Sequence, residues 1–162
     1  MTDVRIASTF NRVFGISHRT QMSGGGAEPL YEPATAAMPA RIVYTLDYPA
    51  SALHEAAHWC FAGVARRAQR DYGYWYSPGP RDARARLAFF ATECDVQAVE
   101  ALFAEVCGVR FVISADDFAA PHVEFESFER NVRARIEWRR ARGLPRRAVR
   151  FRDALAAEFA GG

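Results

Sequence analysis

Ser51-Ala52-Leu53-His54-Glu55-Ala56-Ala57-His58-Trp59-Cys60-Phe61-Ala62-Gly63-Val64 reads as one amphipathic helix, because Leu53, Ala56, Ala57, Cys60, Phe61 and Val64 recur at the steps of a single buried face. Ser51 is placed to cap its first turn. At about 100° per residue, His54 and His58 fall just past one edge of the apolar stripe, one turn apart and on the same side. That border position is sheltered by the core yet reachable from solvent.

His54-Glu55-Ala56-Ala57-His58 has the HExxH spacing with which two imidazoles grip one metal ion. Such an ion needs a third protein ligand and keeps positions open for water, dioxygen or substrate. The longer peptidase pattern HExxHxxGxxH requires glycine and histidine where this chain has Phe61 and Val64, so that group is excluded. A distant carboxylate remains, and Glu93, read as opening a later helix, is a candidate. Its competing reading is an acid placed favourably at a helix N-terminus. Glu55 is not a ligand in this geometry and is free to orient a bound water or relay a proton. His122-Val123-Glu124 outlines the His-x-acid pair of many oxoglutarate-dependent iron enzymes, but no histidine follows residue 122 to complete it. His18 offers still less.

Upstream, Val4, Ala7, Phe10, Val13 and Phe14 predict an amphipathic helix closed by Gly15. Residues 17–37 read as loop-rich, with Ser23-Gly24-Gly25-Gly26-Ala27 a flexible loop that lacks any phosphate-binding spacing. Arg41 to Leu46 predicts a strand ended by Asp47-Tyr48-Pro49. Downstream, Tyr72-Gly73-Tyr74-Trp75-Tyr76-Ser77-Pro78-Gly79-Pro80 predicts an ordered loop packed by rings. Helical spacing resumes near Asp82 and again through Val96, Val99, Leu102, Phe103 and Val106 up to Gly108. Arg110 to Ser114 predicts a second short strand. A helix follows to Gly143, and a last one carries Phe151, Leu155 and Phe159. The expected fold is a compact, mostly helical α+β single domain over residues 1–162, with a small sheet beside a zincin-like HExxH helix.

The chain has 162 residues, half of them hydrophobic and a quarter charged, an ordinary balance for one globular domain. No apolar run reaches the roughly 18 residues that a membrane helix needs, and no secretion signal opens the chain, which points to the cytoplasm. Cys60, Cys94 and Cys107 are widely spaced and odd in number, so free thiols are expected. All 21 basic residues are arginine, which excludes Schiff-base, Walker-type and kinase-type lysine chemistry. Residues 93–129 hold nine acids against Arg110, and residues 130–152 hold ten arginines against Glu137. The basic block is read either as a solvated helix face or as a surface that steers an acidic partner.

Ser51 to Cys60 together with Ala62-Gly63, Ala65-Arg66-Arg67, Tyr72-Gly73-Tyr74-Trp75-Tyr76 and Arg81-Asp82-Ala83 resembles the bacterial elongation factor P hydroxylase family. The likeness continues through Glu93 and Gln97, Leu102-Phe103, Gly143-Leu144-Pro145, Arg150-Phe151 and Ala154-Leu155. It implies a non-haem iron enzyme that uses Fe(II) and molecular oxygen to hydroxylate the lysine of elongation factor P already extended by a β-lysyl group. The metal residues carry over to His54, His58 and Glu93, with Glu55 as the catalytic acid or base. Tyr74, Trp75, Tyr76, Asp82 and Gln97 are the expected substrate contacts. The chain departs from the family pattern at Ser77, at Phe89-Phe90-Ala91 and in its N-terminal third, all of which concern substrate contacts and not the metal set.

Two other readings compete. A zinc peptidase would use the same ligands, with Glu55 activating a zinc-bound water. A nucleic-acid-binding module would rest on the arginine block alone, which carries no recognised binding motif.

Overall fold

A computed structural model describes residues 1–74, 82–115 and 120–161. Its elements run α1 (Thr2–Phe14), β1 (Thr20–Gly26), β2 (Leu30–Glu32), β3 (Ala40–Thr45), α2 (Pro49–Phe61), α3 (Val64–Arg67), a 3₁₀ turn (Arg70–Gly73), α4 (Ala83–Cys107), α5 (His122–Arg142) and α6 (Arg146–Phe159). Helices dominate and one small sheet accompanies them, as the α+β reading expects. The HExxH residues lie on α2.

The sheet has the order β1-β3-β2, with β1 parallel and β2 antiparallel to β3. Turns and bends fill the rest of residues 17–37 around β1 and β2, but Ser23 to Gly26 belong to a strand and not to a flexible loop. The glycines permit a close approach: a Cβ on Gly24 would come within 2.6 Å of the Tyr44 ring. Only a bare backbone can pair beside that tyrosine, and the register shifts between Ser23 and Gly26 as it does so. Conversely, Arg110 to Ser114 form no strand. The backbone N–H of Ser114 donates to Gln97 Oε1 at 3.0 Å, so a side-chain amide takes the place of a neighbouring strand.

Helix α2 starts at Pro49 behind Tyr48, three residues earlier than a Ser51 cap would have it. The Ser51 hydroxyl instead accepts from the Thr45 N–H at 2.9 Å, which ties α2 to the end of β3. Leu53, Ala56, Ala57 and Cys60 are buried as expected, and so are Ala52, Glu55 and Trp59, so α2 is enclosed on most sides. Ala62 and Gly63 are extended and end the helix, which leaves Val64 exposed on α3 rather than in the stripe. The carbonyls freed at that end are gathered by Arg147, whose guanidinium donates to Trp59 O at 2.9 Å, Cys60 O at 3.1 Å and Ala62 O at 2.6 Å.

Around α2 the core is aromatic. Phe14 and Phe10 of α1 lie 4.6 and 5.1 Å from Trp59, and Phe151 of α6 lies 5.1 Å from Phe103 of α4. Each such ring, fully buried, contributes on the order of 1.5–3 kcal/mol by leaving water. The buried face of α1 is Ile6, Ala7, Phe10 and Phe14 with Asp3 and Thr9, while Val4 faces solvent. Asp3 is admitted because it accepts from the Tyr44 hydroxyl at 3.0 Å.

Helix α4 is one continuous rod of 25 residues, capped by Asp82, whose carboxylate accepts from the Ala85 N–H at 2.7 Å, and closed by Gly108 at φ +65°. Glu93 thus sits in its middle and not at a helix start. A second, smaller core of Phe90, Phe128 and Val132 joins α4 to α5. Ion pairs Asp95–Arg139 at 3.2 Å and Glu105–Arg140 at 2.7 Å run along the same seam. Part of the acidic and basic blocks is therefore paired internally. Cys60 and Cys107 are buried free thiols and Cys94 is a half-buried one. Among the described residues no helix is long and apolar enough to cross a membrane.

Candidate metal centre

Packing of α4 against α2 brings Glu93 over the turn that carries the two histidines. His58 Nε2 lies 2.9 Å from Glu93 Oε1, and His54 Nε2 lies 3.6 Å from Glu93 Oε2. The two Nε2 atoms are themselves 3.2 Å apart, and one ligand atom from each of the three residues falls within 4.8 Å of the others. Glu93 is buried and the histidines are mostly covered. The three residues that the resemblance implied as metal ligands are brought together in space.

The charges show how the three groups depend on one another. Burial pushes the His54 pKa down, but its hydrogen bond to Glu100 and the charges of Glu100, Glu93 and Glu55 outweigh that and raise it to about 10. Burial likewise pushes Glu93 up, but the His58 contact, the charges of both histidines and a hydrogen bond from Gln97 bring it down to about 2. A carboxylate that stays ionised faces two imidazoles whose Nε2 atoms point at one spot, where protons or a cation must stand. Two nitrogens and one carboxylate oxygen are the donor set of non-haem iron sites with open positions, and of catalytic zinc sites too. The residues therefore fit a divalent metal ion.

Glu55 follows His54 on α2 and is buried; burial raises its pKa, opposed by the charges of His54 and His58. Gln97, one turn beyond Glu93 on α4, is buried, and its amide nitrogen donates to Glu93 Oε2 at 3.0 Å and to the Ser114 carbonyl. A cavity of ≈ 220 Å³ reaches His58 and is walled by Phe61, Arg66, Tyr72, Tyr74 and Asp95. A larger groove of ≈ 670 Å³ between α4 and α5 touches none of the triad.

Of the expected substrate contacts, Tyr74 is half-exposed at the cavity wall, with the Arg66 guanidinium 4.6 Å from its ring centre. Asp82 is exposed and caps α4. Trp75 and Tyr76 lie outside the described residues, as does the rest of the aromatic loop to Pro80. His122 is exposed and pairs with Glu126 at 3.0 Å, and His18 packs its ring 5.3 Å from that of Trp59, so neither joins the triad.

Two residues escaped the sequence reading. Glu100 was counted only as one acid of a block, yet its Oε2 lies 2.7 Å from His54 Nδ1. The spacing of Glu93, Gln97 and Glu100, at i, i+4 and i+7 on one helix face, was the available signal. Tyr72, read as part of a packed loop, is buried with its ring stacked 4.2 Å from Tyr31 and nearly parallel to that of His58. It holds φ +59°, beside Asp71 at φ +48°, a strained left-handed pair for side chains of this size. Its hydroxyl is buried with no hydrogen-bond partner among the described residues.

The sequence family described as elongation factor P hydroxylase matches residues 9–161 of this chain. A curated relative, the elongation factor P lysine hydroxylase of Haemophilus influenzae (strain ATCC 51907 / DSM 11121 / KW20 / Rd), is 36% identical over 155 residues, which cover 95% of this chain and 87% of that protein.

Proposed function

The chain belongs to the elongation factor P hydroxylase family, and we propose from this that it is an iron-dependent monooxygenase acting on the β-lysyl-extended lysine of elongation factor P. The observation that carries the reading is the convergence of His54, His58 and Glu93 on one point. Iron held there supplies the oxidising power to insert one oxygen atom from dioxygen into a C–H bond, which no side chain can supply alone. The second oxygen atom requires external electrons.

The chain's own residues do the rest. Glu93 contributes a buried negative charge that favours positive charge between the imidazoles. Glu55, buried one residue from His54, holds or releases a proton at its carboxylate during turnover. Phe61, Tyr72 and Tyr74 wall the cavity that reaches His58, where they exclude water from the side chain that enters and orient it. Trp75, Tyr76, Asp82 and Gln97 complete the proposed substrate surroundings. The proposed substrate, a translation factor, favours a cytoplasmic site of action.

Mass spectrometry of elongation factor P, unmodified and β-lysylated, incubated with the purified protein, Fe(II), oxygen and a reductant, tests the proposal. One added oxygen on the modified lysine, absent with His54→Ala, supports it. Peptide cleavage with zinc and no oxygen addition with iron would establish the peptidase reading instead.

A further inference from the structure

A metal-binding histidine must present one ring nitrogen as a lone pair, and which nitrogen does so is set by the partner of the other. His54 Nδ1 lies 2.7 Å from Glu100 Oε2, a separation typical of a charge-assisted hydrogen bond. The carboxylate can only accept there, so the proton stays on Nδ1. Nε2 is then the nitrogen turned towards Glu93 and His58.

Glu100 stands apart from the converging ligand atoms. It stands seven residues beyond Glu93 on α4, about 10 Å further along the axis, and its oxygen meets the ring nitrogen on the side away from the triad. It is absent from the group of residues whose ligand atoms converge. Nor is it a surface acid, being 7% exposed. The His54 ring thus spans from Glu93 at one nitrogen to Glu100 at the other. We propose that Glu100 is a positioning residue of the metal centre, which locks the His54 ring and tautomer through Nδ1 so that Nε2 binds the metal. The proposal rests on the triad being the metal site, whichever ion and reaction it serves.

The test is cobalt(II) titration of the purified chain, read by visible absorption, with ¹⁵N-resolved histidine spectra of the zinc-loaded protein as a second readout. Glu100→Ala is expected to weaken cobalt binding about 10- to 100-fold, to alter the cobalt spectrum and to abolish the low-field Nδ1 proton of His54. Glu100→Gln keeps an accepting oxygen at the same reach, so it should restore the spectrum and most of the affinity. Glu100→Asp falls short of the ring and should behave as the alanine variant does. Wild-type cobalt affinity and spectrum in folded Glu100→Ala, or a metal-bound Nδ1 in the wild-type chain, would overturn the proposal. If Glu100→Ala does not fold, the Nδ1 proton in the wild-type and Glu100→Gln proteins decides it alone. Cobalt bound as described by a wild-type chain that hydroxylates nothing would leave this assignment standing and defeat only the hydroxylase reading.

Discussion

At the scale of single residues, the metal-free triad ties stability to pH at both ends. His54 is raised to about 10 from an ordinary 6.5, so its contribution is complete below about 6.5 and fades as pH climbs towards 10. Glu93 is lowered to about 2 from 4.5, so its contribution is complete above about 4.5 and fades as pH drops towards 2. The chelator-treated protein should therefore melt highest between about pH 4.5 and 6.5. Glu93→Gln should flatten the acid side of that profile, which thermal denaturation across pH checks. Tyr72 makes the opposite kind of statement. Its hydroxyl is buried without a hydrogen-bond partner among the described residues, so Tyr72→Phe removes a desolvated polar group and should leave the melting temperature unchanged or higher. A fall in turnover in that stable variant would mark the hydroxyl as functional.

At the scale of elements, the helix that carries both histidines is fastened at each end by a side chain remote from the metal. Ser51 binds its start to β3, and Arg147 collects three carbonyls at its finish while its guanidinium lies 4.6 Å from the Trp59 ring centre. Each hydrogen bond to a charged donor contributes roughly 1.5–3 kcal/mol, and bonds sharing one group do not add fully. Arg147→Ala is accordingly expected to cost about 2–4 kcal/mol in chemical denaturation. Arg147→Lys should recover only part of this, because one ammonium cannot face three carbonyls as a planar fork does. Helix α4 plays the complementary part, since its i, i+4, i+7 spacing brings Glu93, Gln97 and Glu100 to a common face against α2.

At the scale of the whole molecule, metal binding and folding are linked. An ion that binds the folded triad and not the unfolded chain stabilises by about 2.7 kcal/mol at a hundredfold excess over its dissociation constant. For a chain of this length that corresponds to a rise of roughly 5–10 °C in melting temperature. Differential scanning calorimetry with and without cobalt(II) should show that rise in the wild-type chain and lose it in His58→Ala. The arginine block is also judged at this scale. Arg135, Arg139 and Arg140 pair with acids of α4 and Arg147 serves α2, so less of its charge is left to steer a partner than the count of ten implies.

By itself the sequence determined the HExxH helix and the family, whose resemblance implied Glu93 as third ligand, because periodicity and a long motif are local properties that survive without coordinates. It missed the strand at Ser23 to Gly26 and drew one where Arg110 to Ser114 form none. In the first case glycine composition hid a close approach to Tyr44, and in the second a side chain replaced a strand partner. Only the tertiary structure decided that Glu93 meets the histidines from mid-helix and that Glu100 grips His54 from behind. Both depend on how two helices far apart in the chain pack against each other, and the pairing of distant surfaces is written in no single stretch of residues.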